Sequence, residues 1–113
     1  MKKIEAYIKS NRFHEVMEEL HKIDGLTGLT VFDVKGFGRA RETAQPVHIV
    51  DNTKNWKPHV KIEIFCMDDL LAEVIGTIQK NAHTGLRGDG KIFISEVIEA
   101  IRISTGEAGK DSV

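Results

Sequence analysis

Two short stretches carry the residues best suited to holding an anion. TGLRGDGKIF (84–93) sets Gly85, Gly88 and Gly90 within six positions and follows them with Lys91 and an apolar run. VKGFGRAR (34–41) sets Gly36 and Gly38 beside Arg39 and Arg41. Backbone N–H groups next to residues without side chains can approach a polyanion closely and form a concave nest, which a neighbouring cation completes. In the first stretch Arg87 and Lys91 supply the charge, and Asp89 is suited to accepting from a ribose hydroxyl or to orienting Lys91. The alternative is a tight turn with solvated charges, and one glycine cluster alone does not choose between the two. Two clusters, with Arg102 near the far end of the chain, make a better constellation for phosphate.

The run from Gly85 to Lys91 also satisfies GxxxxGK, yet it is not a P-loop. That motif runs from strand through glycine loop into helix, and it needs Ser or Thr after the lysine to hold magnesium. Here an amphipathic helical pattern precedes the glycines, a strand pattern follows them, and Ile92 stands after Lys91.

The elements that must position these loops are legible from period. KKIEAYI (2–8) alternates through Ile4, Ala6 and Ile8 and predicts a half-buried strand. Phe13, Val16, Met17, Leu20 and Ile23 recur at helical spacing over 12–23, with Ser10 and Asn11 as expected caps. LTVFDVK (29–35) reads as a second strand, HVKIEIF (59–65) as a third and KIFIS (91–95) as a fourth. Asp68 is the expected cap of a second helix over 69–81, whose apolar face holds Leu70, Leu71, Val74, Ile75 and Ile78. The residues after the fourth strand predict an irregular turn leading into a terminal extended piece. Strand, helix, strand, long loop, strand, helix, strand is a split βαββαβ order. It predicts an α+β, ferredoxin-like domain with an antiparallel sheet and both helices on one face.

Bulk properties narrow the function classes. With 113 residues the chain is expected to form a single domain, residues 1–113, able to bury a core unaided. A net charge of −1 gives no overall push toward nucleic acid or membranes. One cysteine, Cys66, excludes an internal disulfide framework and a cysteine-rich zinc site. No apolar run approaches a membrane span and the N-terminus lacks a signal-peptide core, so a cytoplasmic location is expected. Charge is uneven locally: residues 35–61 hold six basic side chains against two acidic ones, Glu42 and Asp51, which suits gathering phosphate at the base of a loop.

Other candidates are weaker. His14, Glu18 and His21 fall at helical spacing and could meet a metal, but a solvated helix face is the simpler reading. His48, His59 and Cys66 could make a soft-metal site, while a lone cysteine at a strand end is more often a small core residue. No metal site is therefore assigned. Trp56 in the long loop is either a partner-docking anchor or an internal packing residue. No nucleophile comes with a base and an orienting group, so no catalytic residue is assigned and the chain is not read as an enzyme.

Taken together, TGLRGDGKIFISEVIEAIRISTGE (84–107), VKGFGR (34–39) and the opening MKKIEA resemble the PII-type signal-transduction proteins, the nitrogen-regulatory family. The likeness spans nearly the whole chain except 40–58, and GDGKIF with a downstream TGE is specific in combination. The resemblance implies a homotrimer with ATP or ADP in each cleft between neighbours. Gly36, Phe37, Gly38 and Arg39 would border the phosphates from the base of the long loop, and Gly88, Asp89, Gly90 and Lys91 would wrap them from the other side. Arg102 would reach into the neighbouring subunit's cleft, and Thr30 with the backbone of Phe65 would meet the adenine. Residues 40–58 fall where the family carries its mobile T-loop, which docks on a target protein; Arg41, Asn52 and Trp56 are the residues expected to meet that partner. The target, whether transporter, enzyme or regulator, is not readable.

Departures from the family pattern narrow the expectation. Ala40 replaces a glutamine that helps hold the magnesium bridging nucleotide and 2-oxoglutarate, and a methyl group cannot coordinate a hard cation. His59 replaces a lysine that pairs with a ligand carboxylate, and is mostly neutral at pH 7. The expectation is a protein that is not a typical 2-oxoglutarate sensor and in which magnesium is doubtful. Asn52 stands where some members carry the tyrosine that is nucleotidylated, so that switch is absent. Ser104 replaces a second arginine of the nucleotide site; each lost charge-assisted contact weakens binding by about 1.5–3 kcal/mol, so ADP or AMP should rival ATP. Two alternatives stand beside this reading: a trimeric metal-binding or metal-tolerance protein of similar fold, and a sensor of another small anion such as bicarbonate.

Overall fold

The computed structural model describes residues 1–36 and 57–113. Four strands and two helices follow the order expected from the sequence: β1 (Lys2–Lys9), α1 (Phe13–Leu20), β2 (Leu29–Gly36), β3 (Lys57–Cys66), α2 (Leu71–Ala82) and β4 (Gly90–Glu96). The sheet runs β2-β3-β1-β4, and every neighbouring pair is antiparallel. Each strand–helix–strand unit thus skips one strand, which puts α1 and α2 side by side over one face. This is the ferredoxin-like α+β arrangement.

Alternation decides which face is covered. Ile4, Ala6 and Ile8 of β1 lie opposite Ile64, Ile62 and Val60 of β3, and all six are buried. Val16 and Leu20 of α1 and Val74 and Ile78 of α2 close over them, each fully shielded from water. Phe13, Met17, Leu70, Leu71 and Ile75 pack around the rim of this core. Removing a buried apolar side chain of this size from water contributes roughly 1.5–3 kcal/mol. Cys66 is part of the same core, free and buried, and its burial pushes the thiol pKa up, as suits a packing residue rather than a nucleophile.

The helix starts differ from the expectation. Neither Ser10 nor Asn11 caps α1 through its side chain, and Asp68 does not cap α2. A 3-10 turn enters each helix instead, over Ser10–Arg12 and Asp68–Leu70, and backbone carbonyls satisfy the first donors. The Asp68 carboxylate turns to the Met1 ammonium at 2.8 Å. At the other end of α2, Arg12 Nε donates to the Asn81 carbonyl at 2.8 Å, tying the last turn of one helix to the entry of the other.

The terminal segment also differs. It is a closed turn rather than an extended piece: Arg102 N–H donates to the Glu107 carbonyl at 2.8 Å, Gly106 N–H to the Arg102 carbonyl at 2.7 Å, and Ile101 bridges Ala108. Gly106 at φ +73° makes the reversal possible.

Candidate functional site

Register places Gly36 and the 84–91 loop at one end of the sheet. Gly36 closes β2 opposite Lys57, Lys9 closes β1 opposite His59, and Gly90 opens β4 opposite Ile8. Phe37, Gly38, Arg39, Ala40, Arg41, Asn52 and Trp56 lie outside the described residues. On the described side, His59 Nε2 lies 3.4 Å from the Gly88 carbonyl, so the root of the long segment and the 84–91 loop touch. Lys9, Pro58, His59, Arg87 and Gly88 line a shared hollow there.

The loop itself is built by one carboxylate. Asp89 Oδ2 accepts from Thr84 N–H at 2.8 Å and from Gly85 N–H at 3.3 Å, and the Thr84 hydroxyl donates to Oδ1. Lys9 Nζ stands 3.2 Å from Oδ1. These partners, the Thr84 side chain first among them, hold the Asp89 carboxyl far below the usual carboxylate range. Asp89 therefore folds inward to organise the turn, and its side chain is only 26% exposed. Lys91, considered from the sequence as a residue for Asp89 to orient, is not among these partners. Gly85, Gly88 and Gly90 all take positive φ, at +78°, +82° and +102°. At Gly90 an added Cβ would overlap the Tyr7 carbonyl, so only glycine lets β4 pair there. Lys91 lies exposed at the head of β4.

Thr30 and Phe65 occupy the opposite end. Phe65 pairs with Lys3 and Thr30 with Glu63, and together with Ile101 they line a second cleft, which Ser112 and Val113 border. Arg102 adjoins that cleft, with its guanidinium 3.4 Å from the Asp111 carbonyl. Along β1 the Phe65 level, at Lys3, lies about 17 Å at strand rise from the Gly90 level, at Ile8, and the Thr30 level, at Glu5, about 10 Å. Among the described residues, those expected at one nucleotide thus form two groups that do not converge within a chain.

The uncovered face of the sheet carries a mixed lining. Lys3, Glu5, Lys61 and Glu63 form a four-member ion-pair cluster, with Lys61 Nζ to Glu5 Oε2 at 3.1 Å and Lys3 Nζ to Glu5 Oε1 at 3.4 Å. The Lys61 contact lowers the Glu5 pKa, and the same pair raises that of Lys61. Around it Phe32, Phe65 and Phe93 stand 42–53% exposed, with Lys61 5.2 Å from the Phe32 ring centre.

A model of the nitrogen regulatory protein P-II family matches residues 1–107. The chain belongs to the P-II family of nitrogen regulatory proteins. It is 48% identical over 113 residues to a nitrogen regulatory protein P-II of Bradyrhizobium diazoefficiens and 45% identical over 113 residues to one of Azospirillum brasilense, covering all of each. It is 45% identical over 108 residues to the nitrogen regulatory protein GlnK of Escherichia coli K12, 96% of each chain. The P-II assignment accounts for both glycine stretches and leaves the metal-binding alternative without support: among the described residues, no three His, Cys, Asp or Glu side chains come together to hold an ion. His14 pairs with Glu18 at 2.9 Å on an exposed face of α1. Nor does any feature of the described residues favour a bicarbonate-sized anion.

Sequence reasoning missed Lys9 and Thr84. No motif marks them, because their role arises from the end of β1 meeting the turn before β4, 75 positions away.

Proposed function

We propose that this P-II protein is a homotrimeric regulator that binds an adenine nucleotide, ADP or ATP, in clefts between neighbouring subunits and controls a target protein through residues 40–58. The observation carrying the reading is the split site. Gly36 and Gly88–Lys91 stand at one end of the sheet, and Thr30, Phe65 and Arg102 at the other. A second copy that brings its opposite end alongside unites them, with phosphates against the glycine loops and adenine against Thr30 and Phe65.

The open face supports assembly. Three phenylalanines and three isoleucines (Ile98, Ile101 and Ile103, 65–100% exposed) form more apolar surface than a lone subunit needs. The nucleotide would bias the 40–58 segment through contacts made only when it is bound, at Gly38 and Arg39, and so change how Arg41, Asn52 and Trp56 meet a transporter, enzyme or transcription regulator. The cytoplasm is the matching location. Among the described residues no helix is long and apolar enough to cross a membrane. Regulation here is by binding, and no catalytic step is assigned.

Isothermal titration tests the reading. ADP and ATP should each bind at one site per chain, with ATP less than about tenfold tighter because Ser104 offers no second cation. Adding 2-oxoglutarate with magnesium should leave ATP affinity unchanged, since Ala40 and His59 lack the donors for it. No heat at about millimolar adenylate overturns the proposal.

A further inference from the structure

A carboxylate inside a phosphate loop is a liability. Asp89 sits between Gly88 and Gly90, and a bare negative charge there repels the ligand that the loop is shaped to hold. Its nearest counter-charge comes from outside the loop; the His83 ring stands farther off, with Nδ1 3.7 Å from Oδ2, and is 71% exposed. Lys9 closes β1, and its ammonium lies 3.2 Å from Asp89 Oδ1 while donating to Thr84 Oγ1 at 3.1 Å. Both charged side chains are largely shielded, at 21% and 26% exposed, so the pair is screened less than a surface pair. The Lys9 stem runs beneath the turn, where a Cβ added to Gly88 would lie 3.7 Å from Lys9 Cε. The Thr84 hydroxyl is fully used: it donates to Asp89 and accepts from Lys9 and from Leu86 N–H at 3.1 Å.

We propose that Lys9 is a positioning residue of the nucleotide loop, cancelling the Asp89 charge in front of the phosphates and holding the turn through Thr84. Asp89 is then the internal strut of the loop, not a ligand of the nucleotide. The inference rests on the nucleotide reading above. Its signature is electrostatic: without Lys9 the unbalanced carboxylate opposes ATP, and removing that carboxylate as well relieves the opposition.

Calorimetric titration with ATP of the wild-type chain and of the Lys9→Met, Lys9→Arg, Asp89→Asn and doubly substituted K9M/D89N chains separates the outcomes. Lys9→Met should weaken ATP by about tenfold, and Lys9→Arg should stay within about threefold of wild type. Asp89→Asn, whose amide oxygen still accepts from Thr84 and Gly85, should bind ATP at least as tightly as wild type. The double variant should recover to within about threefold of wild type; a merely structural pair would recover there too, but would already weaken ATP in Asp89→Asn, where Lys9 loses its carboxylate. Unchanged binding by Lys9→Met, a loss of about tenfold in Asp89→Asn, or no recovery in the double variant each overturns the inference while leaving the nucleotide reading standing. Failure of the wild-type chain to bind takes both down.

Discussion

Gly88 and Gly90 are two residues apart, both at positive φ, and their substitutions should differ sharply. Gly90→Ala drives a Cβ into the Tyr7 carbonyl of the paired strand, so the backbone of β4 must move. Gly88→Ala meets only the flexible Lys9 stem and bears the left-handed strain of about 1–2 kcal/mol. The urea midpoint should therefore fall modestly in the second variant, and in the first by more than about 3 kcal/mol or to outright unfolding. Asp89 gives a pH prediction at the same scale. Its folded pKa lies below the unfolded value of about 3.9, so its stabilisation is present above roughly pH 5 and lost as the pH falls below that. Urea midpoints between about pH 6 and 2.5 should drop more steeply for the wild type than for Asp89→Asn, which has no proton to take up there. Equal slopes would show that the carboxylate network is absent in solution.

At the scale of elements, α2 is held by a stripe, not by a cap. Val74 and Ile78 are fully buried against β1 and β3, and no side chain of the Asp68–Leu70 turn caps the helix. Ile78→Ala should cost about 2–5 kcal/mol in chemical denaturation, whereas Asp68→Ala, which removes only an exposed contact with the chain terminus, should leave the midpoint close to that of the wild type. The helices, the strands and their order along the chain were legible because apolar period is a local signal: alternation in 2–8 and 59–65 and helical spacing in 12–23 and 69–81 each point to one buried face. The helix starts were not legible. Ser, Asn and Asp are good caps in isolation, but here Asp68 finds a full positive charge nearer to hand at Met1. The terminal segment was likewise misread, since Ile101 and Ile103 alternate like a strand while Gly106 and the Arg102–Glu107 hydrogen bond fold it back.

For the whole molecule, the proposed assembly turns on the uncovered sheet face. Phe93 is 53% exposed and makes an edge-to-face contact with Tyr7 at 6.0 Å, on the β4 edge of that face. Light scattering should give three times the 12.6 kDa chain mass for the wild type, and Phe93→Glu should yield a smaller species with unchanged far-ultraviolet circular dichroism. If the variant remains fully assembled, the face does not mediate the contact. On the proposed reading, nucleotide binding should be lost together with assembly in that variant, because the two groups of site residues would then stay apart.

Residue order alone was enough to give a βαββαβ chain, a loop of glycines ending in Lys91 and membership of a regulatory family, because period, turn chemistry and motif spacing are all local quantities. Folding decided which groups act together. It turned Asp89 inward onto Thr84, brought Lys9 to it from 80 positions away, and set Thr30 and Phe65 at the far end of the sheet from Gly90. Those relations depend on strand register and on where a side chain finds its counter-charge, and both are fixed only when distant segments pack.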